Sequence, residues 1–278
     1  GGDWREVTPD GLPELAAVYE IEGSPHDPAT TYLAITRYRK ADDYEPYLLK
    51  TSDYGETWKR IDDSFPAGQT TKTIREDTVR PGLLFVGTET GVYGSIDDGM
   101  TWVKMNLNMP PLPVFDIEVK NSDVVIATHG RGLWVLDDIS PLRQFAAEQA
   151  QGKAHLYDPE DYARFGYNWW MTYGGGPPSD KKYFFVRNAE AGYTFYERGV
   201  VEGVRHREFI DAGDARPNGP MFYYLLSDEA QEVSLAVLDA DGNEIRSWSN
   251  DEIPTERFEG FDNRGYGKES ATGEPGVG

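Results

Sequence analysis

Hydrolysis of a glycosidic bond needs two carboxyl groups about 5 to 10 Å apart, one serving as acid and the other as base or nucleophile. Glu76, Asp77, Asp116 and Glu118 are the carboxylates whose surroundings suit that work, because each lies in or just after a short apolar alternation that reads as a strand. In a chain this acidic the ordinary role of a carboxylate is solvation or turn capping. The sequence therefore leaves the catalytic residues unknown, and Asp116, Glu118, Glu76 and Asp77 are only the candidates it offers.

Two further groups of residues suit binding. In His129-Gly130-Arg131-Gly132 the glycines let the backbone tighten, so that His129 and Arg131 project from a strand end. Arg131 then either holds a carboxylate of a ligand or pairs with Asp137 or Asp138 and locks that end of the fold. Tyr167, Trp169, Trp170 and Tyr173 crowd a glycine-rich stretch, as a stacking platform for sugar rings or as filling for a joint between domains. No metal or cofactor is expected. His26, His129, His155 and His206 have no ligand spacing, Asp239-Ala240-Asp241-Gly242-Asn243 fits a hairpin turn better than a calcium loop, and phosphate-loop and dinucleotide fingerprints are missing.

The elements that must position these groups are announced by a repeat. Thr51-Ser52-Asp53-Tyr54-Gly55-Glu56-Thr57-Trp58 and Ser95-Ile96-Asp97-Asp98-Gly99-Met100-Thr101-Trp102 share one pattern and lie 44 residues apart. That is the period of a propeller blade of four short strands. Asp53 and Asp97 would accept backbone N–H groups within the turn, Gly55 and Gly99 would take positive φ, and Trp58 and Trp102 would wedge between sheets. These six residues are read as structural. Strands are expected at residues 17–22, 31–38, 47–50 and 58–61, then at 72–75, 83–88, 92–95 and 102–105, and then at 114–119, 124–128 and 132–137. Inner strands of a propeller face its channel, which is why Glu76, Asp77, Asp116 and Glu118 come first among the carboxylates. No third copy of the turn follows Asp137, and Pro141 suits a strand poorly, so the last blade is expected to have three strands, its fourth coming from elsewhere.

Composition narrows the partners. Among 278 residues, 27 are basic and 48 acidic, and a net charge of -21 repels nucleic acid and anionic membranes. There is no cysteine, so disulfides and thiolate metal sites are excluded, and no apolar run reaches membrane-spanning length. Gly1-Gly2-Asp3-Trp4 reads as the tail of another copy of the turn, which gives the expectation of a C-terminal piece of a longer protein.

The eight-residue pattern resembles the Asp box of the bacterial neuraminidase repeat, found in sialidases, sortilin-type propellers and two-propeller xyloglucanases. Residues 80–93 and 127–143, with the Ser24-Pro25-His26-Asp27-Pro28 turn, resemble the closing part of bacterial sortilin-like repeat proteins described as glycosyl hydrolases. The resemblance covers residues 1–145 and implies an all-β partial propeller of about three blades. Residues 145–153 read as a helical turn or linker and 207–210, 220–226, 233–239 and 244–248 as strands, and the resemblance implies that residues 146–249 are a linker and a small β-sandwich-like domain. Residues 250–278, rich in glycine and acid, read as a disordered tail. The implied role is a binding or accessory module for carbohydrate or for a protein or peptide, in a secreted, periplasmic or cell-surface bacterial protein. Its partners would be a glycan or peptide ligand and the missing N-terminal blades of the same protein. The alternative is a glycoside hydrolase whose catalytic carboxylates lie mostly in those blades.

Overall fold

The computed structural model describes residues 4–146, 152, 154–162, 183–185, 192–201, 204–209, 220–226 and 232–249. The chain divides into two compact units, Gly1–Ala146 and Ala147–Gly278.

The first unit is a row of three antiparallel sheets. Sheet one runs β1 (Ala17–Gly23), β2 (Thr31–Thr36), β3 (Tyr47–Thr51) and β4 (Lys59–Arg60). Sheet two repeats that order with β5 (Thr71–Glu76), β6 (Leu84–Thr88), β7 (Gly91–Ser95) and β8 (Val103–Lys104). Sheet three has, among the described residues, three strands, β9 (Val114–Lys120), β10 (Asp123–Thr128) and β11 (Leu133–Leu136). These are propeller blades, each a meander, and the second has both faces covered by its neighbours. Leu84 and Val86 of β6 pack with Tyr32, Ala34 and Leu48 of the first blade, while Phe85, pointing the other way, packs with Val114, Ile117 and Ile126 of the third. Every residue of β6 and β7 is buried. Each large aliphatic side chain so covered contributes on the order of 1.5–3 kcal/mol.

The three blades superpose by register. Ile21, Ile74 and Ile117 of the inner strands stand opposite Leu33, Val86 and Ile126, and those in turn stand opposite Leu49, Tyr93 and Trp134.

Several elements differ from the expected ones. The strand expected to reach residue 38 stops at Thr36, and a one-turn helix, α1 (Tyr38–Ala41), follows, ended by Asp42 in the left-handed conformation. The fourth strands begin one residue after Trp58 and Trp102, because the indoles are used in packing and not in the ladder. After β11 the chain turns into α2 (Ser140–Gln144), earlier than the expected linker, with Pro141 in the first turn, where its missing N–H costs nothing. Residues 147–151 and 153 of that linker lie outside the described residues.

The second unit is also antiparallel β, with β12 (Ala154–Leu156) beside β16 (Tyr224–Leu226), the trio β13 (Tyr183–Phe185), β14 (Gly192–Val201) and β15 (Val204–Phe209), and the hairpin β17 (Ser234–Leu238) with β18 (Glu244–Ser249). The hairpin turn is closed by Asp239, whose Oδ1 accepts the N–H groups of Asp241 and Asn243 at 2.9 and 2.8 Å, with Gly242 at φ +85°. The expected tail at 250–278 lies outside the described residues.

Candidate binding site on the inner strands

The repeated turns are built alike. The hydroxyl of Thr51 donates to Asp53 Oδ1 at 2.7 Å and accepts the Gly55 N–H at 2.9 Å. The N–H and hydroxyl of Thr57 donate to the two Asp53 oxygens at 2.8 and 2.6 Å. Ser95, Asp97, Gly99 and Thr101 repeat the set at 2.8, 2.9, 2.8 and 2.5 Å. Each of Asp53 and Asp97 accepts three hydrogen bonds from within its own turn. The carboxyl of Asp53 is accordingly held at about 2, chiefly by the Thr57 hydroxyl and N–H. Each turn also latches onto the preceding outer segment. Trp58 Nε1 donates to Val7 O at 2.9 Å and Trp102 Nε1 to Ile61 O at 2.7 Å. Gly55 and Gly99, at φ +83° and +82°, lie so close to those same residues that an added Cβ would come within 2.8 Å of Val7 Cβ and 2.9 Å of Ile61 Cβ.

The inner strands carry the polar groups available to a ligand. Arg75 of β5 reaches both neighbouring blades, pairing with Glu20 at 2.7 Å and Glu22 at 2.6 Å on β1 and with Asp116 at 3.2 Å on β9, while its Nε donates to Ile117 O at 2.6 Å. Burial raises the carboxyl of Glu22 above its ordinary value and outweighs the opposing pull of the Arg75 guanidinium.

Each inner strand is bulged at the same place. The ladder between β1 and β2 skips Tyr19, that between β5 and β6 skips Lys72, and that between β9 and β10 skips Phe115. A bulge re-aims the extra side chain, and these three meet. The rings of Tyr19 and Phe115 stand edge to face at 6.4 Å, and Lys72 Nζ lies 3.7 Å from the Phe115 centroid. The ring of His129 lies 5.3 Å from that of Phe115, and the His129 N–H is anchored on Pro113 O at 2.9 Å. Lys72 is buried and pairs with Glu89 at 2.7 Å. The product is an aromatic shelf at the mouth of the inner strands, with the Arg75 carboxylate network along the same strands.

The sequence candidates fall as follows. Asp116 belongs to the Arg75 network. Glu118, two residues on, is exposed and has no partner among the described residues. Glu76 is buried, with Oε1 accepting from Gly82 N–H at 2.8 Å and the Tyr32 hydroxyl at 3.3 Å, and Oε2 unpartnered. Burial and the charges of Glu76 and Asp98 push the Tyr32 phenol upward. Asp77 is fully buried and clamped by Arg143 of α2, Nη2 to Oδ1 at 2.7 Å, and by the N–H groups of Val79 and Arg80. Glu76 and Asp77 therefore point to separate structural jobs and are not brought together as a pair. His129 joins the shelf. Arg131 is exposed and makes no ion pair among the described residues. The expected lock onto Asp137 or Asp138 is not made, and Asp138 is instead buried, its Oδ1 accepting the Ser140 N–H at 3.1 Å. Trp169, Trp170 and Tyr173 lie outside the described residues. Sequence reasoning passed over Tyr19, Glu20, Glu22, Lys72, Arg75 and Phe115. The available signal was the broken alternation in Val114-Phe115-Asp116-Ile117, where two residues separate inward-facing positions.

No protein-family model matches the chain, and no curated protein does. Among solved structures it is similar to the protein YCF48 bound to D1 peptide, at 16% identity and a TM-score of 0.32, over 44% of this chain and 37% of that one. It is also similar to a GH74 xyloglucanase from Xanthomonas campestris, at 17% identity and 0.38, over 50% and 23%. A GH74 enzyme from Niastella koreensis is similar at 14% identity and 0.36, over 76% and 28%. The chain thus spans well under half of each of these proteins, and its propeller architecture rests on its own sheets. Among the described residues no helix is long and apolar enough to cross a membrane.

Proposed function

We propose that this chain is a ligand-binding module of the Asp-box propeller type, part of a larger secreted or cell-envelope bacterial protein, and that it holds a carbohydrate or peptide at the mouth of its inner strands. The observation that carries this reading is the convergence of Tyr19, Lys72 and Phe115 from three equivalent bulges. One such bulge is ordinary in a sheet, whereas three in register bring the Tyr19 and Phe115 rings together over the buried Lys72–Glu89 pair. Asp116, Glu118, His129 and Arg131 supply polar contacts around it. Hydrolysis is less well supported, because Asp116 is paired with Arg75 and Asp77 with Arg143, while Glu76 is buried against Gly82 and Tyr32.

The test is a glycan array and a peptide library screened with the whole chain, followed by calorimetry on Phe115→Ala and Tyr19→Ala. Each variant should lose about tenfold in affinity, roughly 1.4 kcal/mol, with little change in melting temperature. Full retention of binding in both, with loss in Trp169→Ala or Trp170→Ala, would move the site to the second unit.

A further inference from the structure

Each blade turns from its second to its third strand beside the start of its inner strand. Thr36 stands opposite Ala17, Thr88 opposite Thr71, and Thr128 opposite Val114. Each of these three connections gives the shelf one side chain. Glu89 of the second pairs with Lys72 at 2.7 Å, His129 of the third lies against Phe115, and Tyr38 of the first has its ring centroid 5.9 Å from Lys72 Nζ. In length the connections are unequal. Glu89 and Thr90 suffice in the second blade and residues 129–132 in the third, whereas the first has residues 37–46, with α1 among them. Packing of the repeat does not call for that enlargement, and insertions into single repeats gather on the face that binds.

The insertion is an arm of fixed shape. Arg37 pairs with Asp43, and its Nε donates to Glu14 O at 3.1 Å. Asp43 also accepts the Tyr47 hydroxyl at 2.8 Å and the Glu45 N–H at 3.0 Å. From the second blade the Thr70 hydroxyl donates to Tyr44 O at 3.3 Å. What the arm holds in place is a second pair of rings, Tyr38 and Tyr44, with centroids 6.3 Å apart, and Tyr44 is 50% exposed. The shelf thus continues from Phe115 across Lys72, whose Nζ lies 3.7 Å from the Phe115 centroid, to Tyr38 and on to Tyr44.

The charges along this line cancel. Arg39, Lys40 and Lys72 stand against Asp42, Glu45 and Glu89, and Arg131 of the third connection and Asp116 of β9 add one of each sign, on a chain whose net charge is -21. Arg39 Nε donates to the Tyr38 phenol at 2.8 Å, and Asp42 is hydrogen-bonded to the Tyr44 phenol. Such a surface offers donors and acceptors beside rings, without a net field. It suits a polyhydroxylated chain with apolar ring faces; a charged ligand would need an excess of the opposite sign. The arm is helix and turn, with no strand edge for an extended peptide to pair with.

We infer that the arm at residues 37–46 is the specificity element of the site, and that the ligand is an uncharged polysaccharide chain lying from Phe115 to Tyr44 across at least two sugar rings. This ligand presupposes the binding role assigned above to the shelf, and the arm gives it a class and a direction. Because the arm is already ordered, little conformational freedom is lost when the chain settles on it.

The experiment screens the whole chain against oligosaccharides of two and six sugar units, neutral and uronate-containing, and against a peptide library, and follows the hits by calorimetry. The hits should be neutral. The six-unit form should bind at least about tenfold more tightly than the two-unit form, and its affinity should change less than about twofold between about 0.05 and 0.5 M salt. Tyr44→Ala should keep its melting temperature and weaken the six-unit ligand about tenfold, while leaving the two-unit ligand within about twofold. Phe115→Ala should weaken both. Hits that are acidic or peptidic, or a six-unit ligand indifferent to Tyr44→Ala, overturn the arm's role and leave the shelf as a binding site. Binding that Phe115→Ala leaves intact, or no hit in any class, overturns both.

Discussion

Gly99→Ala tests whether the latch between blades carries stability. The new Cβ would stand 2.9 Å from Ile61 Cβ and 3.0 Å from Ile61 Cδ1, at a backbone φ of +82°. Two costs follow. Holding alanine in the left-handed region costs about 1–2 kcal/mol, and forcing a methyl group into a filled interior costs about 1–3 kcal/mol more. Ile61 is only 6% exposed and its Cβ is fixed by the backbone, so it has little room to give way. The internal control is Gly68→Ala, also at positive φ, +71°, in the same unit but with nothing within 4 Å of the added Cβ. Both substitutions restrict the unfolded chain equally, so that effect cancels in the comparison. Urea unfolding followed by tryptophan fluorescence should place Gly99→Ala about 1–3 kcal/mol below Gly68→Ala. Equal stabilities within about 0.5 kcal/mol would mean that the turn does not bear on the preceding blade, and the latch reasoning would fall.

Two further outcomes follow from the same contacts. Because Asp53 titrates at about 2 when folded, against 3.8 ordinarily, its stabilising effect is complete above the unfolded value and is lost as pH falls through the folded one. Melting temperature of the wild type should therefore drop between about pH 4 and pH 2, and Asp53→Asn should flatten that drop; an unchanged acid profile would refute the assignment. Arg143→Ala leaves the fully buried Asp77 without its guanidinium and should cost about 3 kcal/mol, the low end for a broken buried pair because two backbone N–H groups still reach the carboxylate. A loss under about 1 kcal/mol in thermal or urea unfolding would show that α2 is not needed to hold the second blade.

Much of the first unit is legible in the sequence because its signals are local. The turn at residues 51–58 contains its own donors and acceptors, so Asp53, Gly55 and Thr57 announce the geometry they later adopt. The missing outer strand of the third blade was legible for the same reason, from the absence of a turn and the presence of Pro141. The shelf was not. A bulge inserts one residue of almost any type, and a lysine at the second of three places otherwise held by Tyr19 and Phe115 hides their equivalence. Arg75 reads as one more strand residue, since Glu22 and Asp116 lie 53 and 41 residues away in the chain. Asp77 looked like an available carboxylate because its partner, Arg143, is 66 residues on, in a helix that local pattern did not place.

The indole latch also bears on how such a chain can change length. Each 44-residue cassette brings one donor for the unit before it and one acceptor for the unit after it, so gain or loss of a whole cassette leaves no indole latch unmade at an internal boundary. The ties of Arg75 to Glu20, Glu22 and Asp116 are not repeated in the other blades and would be lost in such an exchange. The bulge residues are different, because Tyr19, Lys72 and Phe115 touch across blades, so a change in one cassette's bulge is felt by its neighbours.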